Sequence, residues 1–236
     1  MIAWPDPNLT LFCTGTLEVD LVTYLDADLM FFSSPKAIYE ELGDKSILVT
    51  EHRFPESLKD QEVFGRFNVQ CQVFRNDEVG LRCLRRWREQ CLEWCYDRLE
   101  DGKFADQKYL NEWPELYGER LVISKHPGVG VAPWNICSQR LVLSEGEKLI
   151  IGGKPVVFYH FAGFRILSFC IVLLGAELGY RLFSKAYRFP FLQYRRALAD
   201  AARHVPSDRV EVGNRYVAPW HRVCRAFLKG GAMLIF

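Results

Sequence analysis

The sequence lacks most of the features that assign a chain to a special class. Its eight cysteines, at positions 13, 71, 83, 91, 95, 137, 170 and 224, include no CxxC pair. Cys91 and Cys95, four apart on a predicted helix, share a face, but no second Cys/His pair at ligand spacing completes a zinc site. Most of the cysteines are instead expected to be small buried apolar residues in a reducing compartment. Charge of one sign is lacking too: 30 Lys+Arg against 29 Asp+Glu leave +1, which removes any global electrostatic case for nucleic-acid binding. The opening MIAWPDPNLTLFC has no basic n-region and places two prolines where an apolar h-region belongs, so it does not read as a signal peptide. The longest apolar run, Ile166 to Leu178, is interrupted by Ser168, Gly175 and Glu177. It falls short of the roughly 20 residues a spanning helix needs and is expected to be a buried helix or strand. Repeats and low-complexity segments are also missing. The expectation is a soluble cytoplasmic protein.

What remains is a globular composition. Apolar residues make up 49% of the 236, aromatics 14% and charged residues 25%, which excludes disorder for the chain as a whole and suits one domain, or one plus a tail. Leu21 to Leu25 reads as a buried strand. Pro35 opens a helix through Tyr39 and Leu42 that Gly43-Asp44 ends, and Ser46 to Thr50 is the next strand. Phe67 to Phe74 alternates apolar and polar residues in the manner of a strand. Leu81, Leu84, Cys91, Leu92, Cys95 and Leu99 recur at helical spacing up to the breaker Asp101-Gly102. Ala105 to Trp113 suggests a short helix closed by Pro114, and strands are expected at Leu121 to Ser124 and Val156 to His160. Strands alternating with helices predict an α/β fold. Beyond Arg165 the character changes: aromatics and arginines crowd Tyr180 to Arg196, Leu198 to His204 looks helical, and Pro206-Ser207-Asp208 looks like a linker. This tail is suited to covering the core, binding a partner or making peripheral membrane contact, and the residues do not choose among these.

Three segments carry chemistry. Asp26 and Asp28 follow the first strand at i and i+2, so they point to one side and repel unless a cation lies between them. The bland alternative is a loop with two exposed aspartates, but their neighbours Leu25, Ala27 and Leu29 to Phe32 are apolar. His160 ends another apolar strand, with Gly163 three residues on. Two carboxylates and an imidazole suit Mn²⁺ or Mg²⁺ in a phosphate-handling site. Asp106-Gln107 precedes Leu110-Asn111 at a helix start, where Asp106 also reads as a plain N-cap.

Together these segments resemble retaining glycosyltransferases of the GT-A fold, especially family 8, the glycogenin and bacterial galactosyltransferase type. The shared order is Asp26/Asp28, Phe67-Asn68, Asp106-Gln107 with Leu110-Asn111, Pro133-Trp134-Asn135, and His160/Gly163. The resemblance implies a GT-A-like mixed sheet flanked by helices over residues 1–165, with a partly helical extension over 166–236. It implies Asp26, Asp28 and His160 as ligands of Mn²⁺ (or Mg²⁺), and Asn68, Gly163 and Arg165 as residues of a donor pocket. Asp106 would bond the transferred sugar and Gln107 would lie near the anomeric carbon. The donor implied is a nucleotide-sugar, UDP by resemblance; the acceptor is a carbohydrate, lipid or protein.

The sequence departs from that pattern in three places. Val69-Gln70 stands where the family has Ala-Gly or Ser-Gly, changing one wall of the pocket. Phe164-Arg165 replaces a lysine-bearing segment, with Arg165 supplying charge one position early. Only residues 1–25 precede Asp26, too few for the strand and helix that hold a nucleotide base. An N-terminally truncated transferase is therefore expected, with a non-catalytic GT-A-like binding module as the alternative. A metal-dependent phosphohydrolase would require a downstream lysine and acidic loop that the sequence does not offer.

Overall fold

Strand β1 (Leu21–Leu25) leads through a two-aspartate turn into β2 (Leu29–Phe31), then α1 (Lys36–Leu42), β3 (Ile47–Glu51) and a 3-10 stretch (Glu56–Phe64). Next come β4 (Phe67–Arg75), α2 (Glu78–Glu93), a 3-10 turn (Gln107–Glu112), α3 (Trp113–Tyr117) and β5 (Leu121–Ile123). The remainder is β6 (Leu141–Leu143), β7 (Leu149–Ile151), β8 (Lys154–Pro155), β9 (Phe158–His160), β10 (Phe164–Ser168), β11 (Ile171–Leu174), α4 (Lys185–Ala202) and β12 (Ala232–Leu234). The structure, a computed structural model, describes residues 19–168, 171–174, 185–204 and 232–234. The architecture is α/β with a mixed sheet in the order β1-β4-β3-β5, in which β3 and β5 run parallel and the other pairs antiparallel. A short ribbon pairs β2 with β9, and two three-stranded sheets follow, β6-β7-β8 and β10-β11-β12.

Helix α2 shows why the central sheet holds. Asp77 caps it by accepting the Gly80 N–H at 2.9 Å. Its buried residues Gly80, Cys83, Leu84 and Trp87 keep one face at helical spacing. That face meets β4 and α3 through Phe74, Trp87 and Trp113, whose rings lie 5.9–6.5 Å apart. Gly80 is needed there, since a Cβ would lie 2.2 Å from the Arg75 carbonyl oxygen.

Several expectations need correction. The helix does not continue to Leu99: Trp94 turns extended, and the next segment bonds elsewhere, Trp94 O accepting from Tyr109 Oη (2.6 Å) and Tyr96 O from the Ala105 N–H (3.0 Å). Leu92 and Leu99 are exposed, so their spacing was not a packing pattern. Pro114 does not close a helix but sits in the first turn of α3, where its missing N–H costs nothing. Strand β1 is half-buried rather than buried, because it forms an edge of the described sheet. Residues 141–155, for which no element was predicted, form the β6-β7-β8 meander. The run from Ile166 enters β10 and β11 as strand, and α4 begins well before Leu198. Phe189 and Phe191 of α4 are buried, and the Phe191 ring lies 5.3 and 5.5 Å from those of Tyr159 and Phe161. Cys71 and Cys83 are buried free thiols. Cys13, Cys170, Cys224 and the Pro206-Ser207-Asp208 linker lie outside the described residues.

Candidate metal centre

Asp26 leaves the end of β1 with its N–H donating to Gln70 O on β4 (3.0 Å). Two residues on, β2 pairs with β9 in a register that sets Leu29 opposite His160, and Phe161 N–H donates to Asp28 O (2.8 Å). The ribbon therefore fastens the aspartate turn to the histidine. His160 Nε2 lies 3.1 Å from Asp28 Oδ1 and 3.8 Å from Asp26 Oδ2. One ligand atom from each residue lies within 4.8 Å of the others, close enough for one ion to bind all three.

The two carboxylates differ. Burial pushes Asp26 above the usual carboxylate range, against His160 and the Tyr24 hydroxyl, which donates to Asp26 Oδ1 at 2.9 Å. Burial also works against ionisation of Asp28, but its hydrogen bond and charge interaction with His160 outweigh it and hold the group below that range. A hard divalent cation suits this set, two oxygens and a nitrogen, one carboxylate of which is short of charge compensation.

Asp106, which feels the charge of Asp26, is 1% exposed. It does not cap the following helix, and neither carboxylate oxygen has a hydrogen-bond partner among the described residues. Burial first, and then the charge of Asp26, push it up to about 7, against the pull of the backbone N–H groups of Asp106 and Gln107. The N-cap alternative thus fails: the side chain makes no capping hydrogen bond, and the group is a buried acid. Its backbone is held by Trp87 Nε1, which donates to Asp106 O at 3.0 Å. Gln107 donates from Nε2 to Phe64 O (3.1 Å), and Asn111 Oδ1 accepts the Arg66 N–H (3.0 Å).

Asn68 is buried, donating to His52 Nε2 (2.9 Å) and accepting the Gln70 N–H (2.8 Å). Trp134 and Asn135 both donate to His52 O, at 2.9 and 2.8 Å. Gly163, at φ +74°, turns the chain from β9 into β10, where Arg165 is exposed. The structure thus brings Asp26, Asp28 and His160 together, with Asp106 within reach of the charge of Asp26, and puts Asn68 in a network around His52.

Sequence reasoning missed His52, Arg53 and the inward role of Gln70. His52 stacks on Phe54 (4.7 Å), and burial lowers its pKa to about 4, so it stays neutral. Arg53, at φ +54°, is half-buried and donates to the carbonyls of His126, Pro127 and Val129. It thereby pins the loop that leads to Trp134-Asn135. The available signal was a polar His-Arg pair directly after an apolar strand, the same context that drew attention to Asp26.

No known protein-family model matches the chain. It is 36% identical over 158 residues to the uncharacterized protein YfnF of Bacillus subtilis (strain 168), covering 64% of this chain and 52% of that protein. It is 29% identical over 154 residues to YfnD of the same organism, covering 64% and 49%. The chain spans about half the length of these curated relatives. Among solved structures, it is similar to a glycosyltransferase involved in glycosylation of the major capsid of PBCV-1 (TM-score 0.43, 11% identity, 69% of this chain and 74% of that one). It is also similar to the glycosyltransferase GlyE of Streptococcus pneumoniae TIGR4 (TM-score 0.32, 19% identity, 50% and 27%). Both structural likenesses are too distant to assign a fold family or an activity.

Proposed function

We propose that this chain is the metal-binding part of a GT-A-type glycosyltransferase that moves a sugar from a nucleotide-sugar donor, a UDP-sugar by resemblance, to a carbohydrate, lipid or protein acceptor with retention of configuration. The observation that carries the reading is the convergence of Asp26, Asp28 and His160, contributed by two strand ends far apart in sequence, within 4.8 Å. Mn²⁺ or Mg²⁺ held by these three would supply charge neutralisation for a diphosphate leaving group. The chain's own residues have the remaining tasks. Asp106, buried and without a hydrogen-bond partner among the described residues, is suited to accepting a hydrogen bond from a sugar hydroxyl. Gln107 orients and stabilises charge at the reacting carbon. The His52–Asn68 network, with Gly163 and Arg165, forms the donor side. Residues 1–165 are the transferase core in this reading, and 166–236 an extension that serves the acceptor.

The test is calorimetric titration of UDP into the folded chain with and without Mn²⁺. Mn²⁺-dependent binding that disappears in Asp28→Asn is expected. A folded chain that binds neither Mn²⁺ nor UDP would overturn the enzyme reading and leave a binding module.

A further inference from the structure

Gln70 marks one departure from the resembled pattern, and its side chain is wholly buried. Both ends of its amide are engaged: Nε2 lies 3.4 Å from Thr50 Oγ1, and Oε1 lies 3.0 Å from His160 Nδ1. The direction of these bonds follows from the far end of the series. The main-chain carbonyl of Asn68 can only accept, so the Thr50 hydroxyl, 3.3 Å away, donates to it. Thr50 Oγ1 then offers only lone pairs to Gln70, and the amide nitrogen must face it. The amide oxygen is left for His160, whose Nδ1 must carry a hydrogen to meet it. The other ring nitrogen, Nε2, is the one that faces Asp26 and Asp28.

The backbone is shaped to allow this. Leu48 of β3 pairs with Val73, but Thr50 pairs with Asn68, so β4 carries three more residues than β3 across this interval. The bulge contains Gln70, and bulges of this kind re-aim side chains. Gly130, at φ +74°, packs on the amide, and a Cβ there would lie 2.7 Å from Gln70 Nε2.

We propose that Gln70 is a positioning residue: the series Asn68 carbonyl–Thr50–Gln70 fixes the proton of His160 on Nδ1 and so presents Nε2 to a divalent cation between Asp26 and Asp28. The inference rests on the proposed metal site. Partners that orient a ligating histidine in this way are typically worth about 10–100-fold in metal affinity. Because the amide is neutral, it orients the ring without adding a third carboxylate, so the two aspartates alone balance a divalent ion.

The experiment uses the whole chain with Mn²⁺ alone, its affinity followed by electron paramagnetic resonance, and nitrogen-15 NMR of His160 in the metal-free and Zn²⁺-loaded protein. Gln70→Met, of similar volume but unable to accept from Nδ1, is expected to weaken Mn²⁺ binding about 10–100-fold. Gln70→Glu, which keeps an acceptor, should bind at least as tightly as the parent. In the parent protein Nδ1 should be protonated with and without metal, and Zn²⁺ should bind through Nε2. An unprotonated Nδ1 in the metal-free parent, or a folded Gln70→Met that binds Mn²⁺ as tightly as the parent, would overturn the inference. If Gln70→Met does not fold, the NMR of the parent decides alone. If the parent binds no Mn²⁺, the proposed metal site fails, and the protonation of Nδ1 in the metal-free protein still tests the direction of the series.

Discussion

The two ends of the central sheet differ in how fully they satisfy their carboxylates. At the end where β3 begins, Ser46 donates to Asp77 Oδ2 at 2.7 Å, Arg120 donates to both Ser46 Oγ and Asp77 Oδ2, and Asp77 Oδ1 caps α2. Burial works against the charge on Asp77, but these donors hold its pKa below the usual range. At the end where β3 finishes, His160 holds Asp28 low, but Asp26 is pushed up, and Asp106 has no hydrogen-bond partner for either oxygen among the described residues. One end is a closed circuit that ties a loop to a helix. The other is left open, and in the proposed reading a ligand completes it. Carboxylates that serve structure are satisfied by the fold, whereas these leave bonding capacity unused at the cost of stability.

Four substitutions would break or sharpen that contrast. The largest effect is expected for Asp26→Asn, which should weaken Mn²⁺ binding by more than about 100-fold, the upper end of what a lost outer partner costs. Its melting temperature at neutral pH should not fall, since a buried charge is removed while Asn can still accept from Tyr24; a large fall would place Asp26 with the structural carboxylates.

Next is Asp106→Asn. The folded carboxyl, at about 7, holds its proton after the unfolded one, near 3.8, has released it. The folded state therefore binds more protons across that window, and stability should decline as pH rises from about 4 to 7. Thermal melts at several pH values should show this slope flattened in Asp106→Asn, and a gain over the parent above pH 7.

Asp77→Ala has the opposite sign. It should cost about 1 kcal/mol in urea unfolding at neutral pH, the usual loss for a helix cap, and leave Mn²⁺ binding unchanged. Because the folded pKa is lowered, that contribution exists above the unfolded value and is lost as pH falls through the folded one. The variant and parent should converge in acid. The smallest effect is expected for Lys36→Ala, which removes the exposed 3.0 Å pair with Glu40; unfolding should detect less than about 0.5 kcal/mol.

The strands of the central sheet were largely legible in the sequence, because their signals are local, whereas the Ser46–Asp77–Arg120 circuit was not. Pro35 and Gly43 bracket α1, the strand around Ile47 is an apolar run and the one from Phe67 alternates, so neighbours in sequence decide both structures. The aspartate turn and His160 were legible as residues in context, although the register that unites them was not. Gln70, Thr50 and His52 were hidden for a physical reason. A lone polar residue in a strand has meaning only through its partner, and the His160 ring that meets Gln70 belongs to a strand ninety residues further along. The bulge in β4 was equally hidden, since alternation in Phe67 to Phe74 reads the same with or without extra length against β3.

The three-residue pairing of β2 with β9 has a consequence for the order of assembly. An isolated two-stranded ribbon is marginal in water. This one closes a loop from the aspartate turn at residues 26–28 to residue 160, so its entropy of closure must be met by packing elsewhere. An ion held by Asp26, Asp28 and His160 binds only after that loop has shut. It would act as a late rivet, adding about 2.7 kcal/mol to the closed form at a hundredfold excess over its dissociation constant. Metal loading would then report that the chain has finished folding, and nascent or broken chains without β9 would stay unloaded.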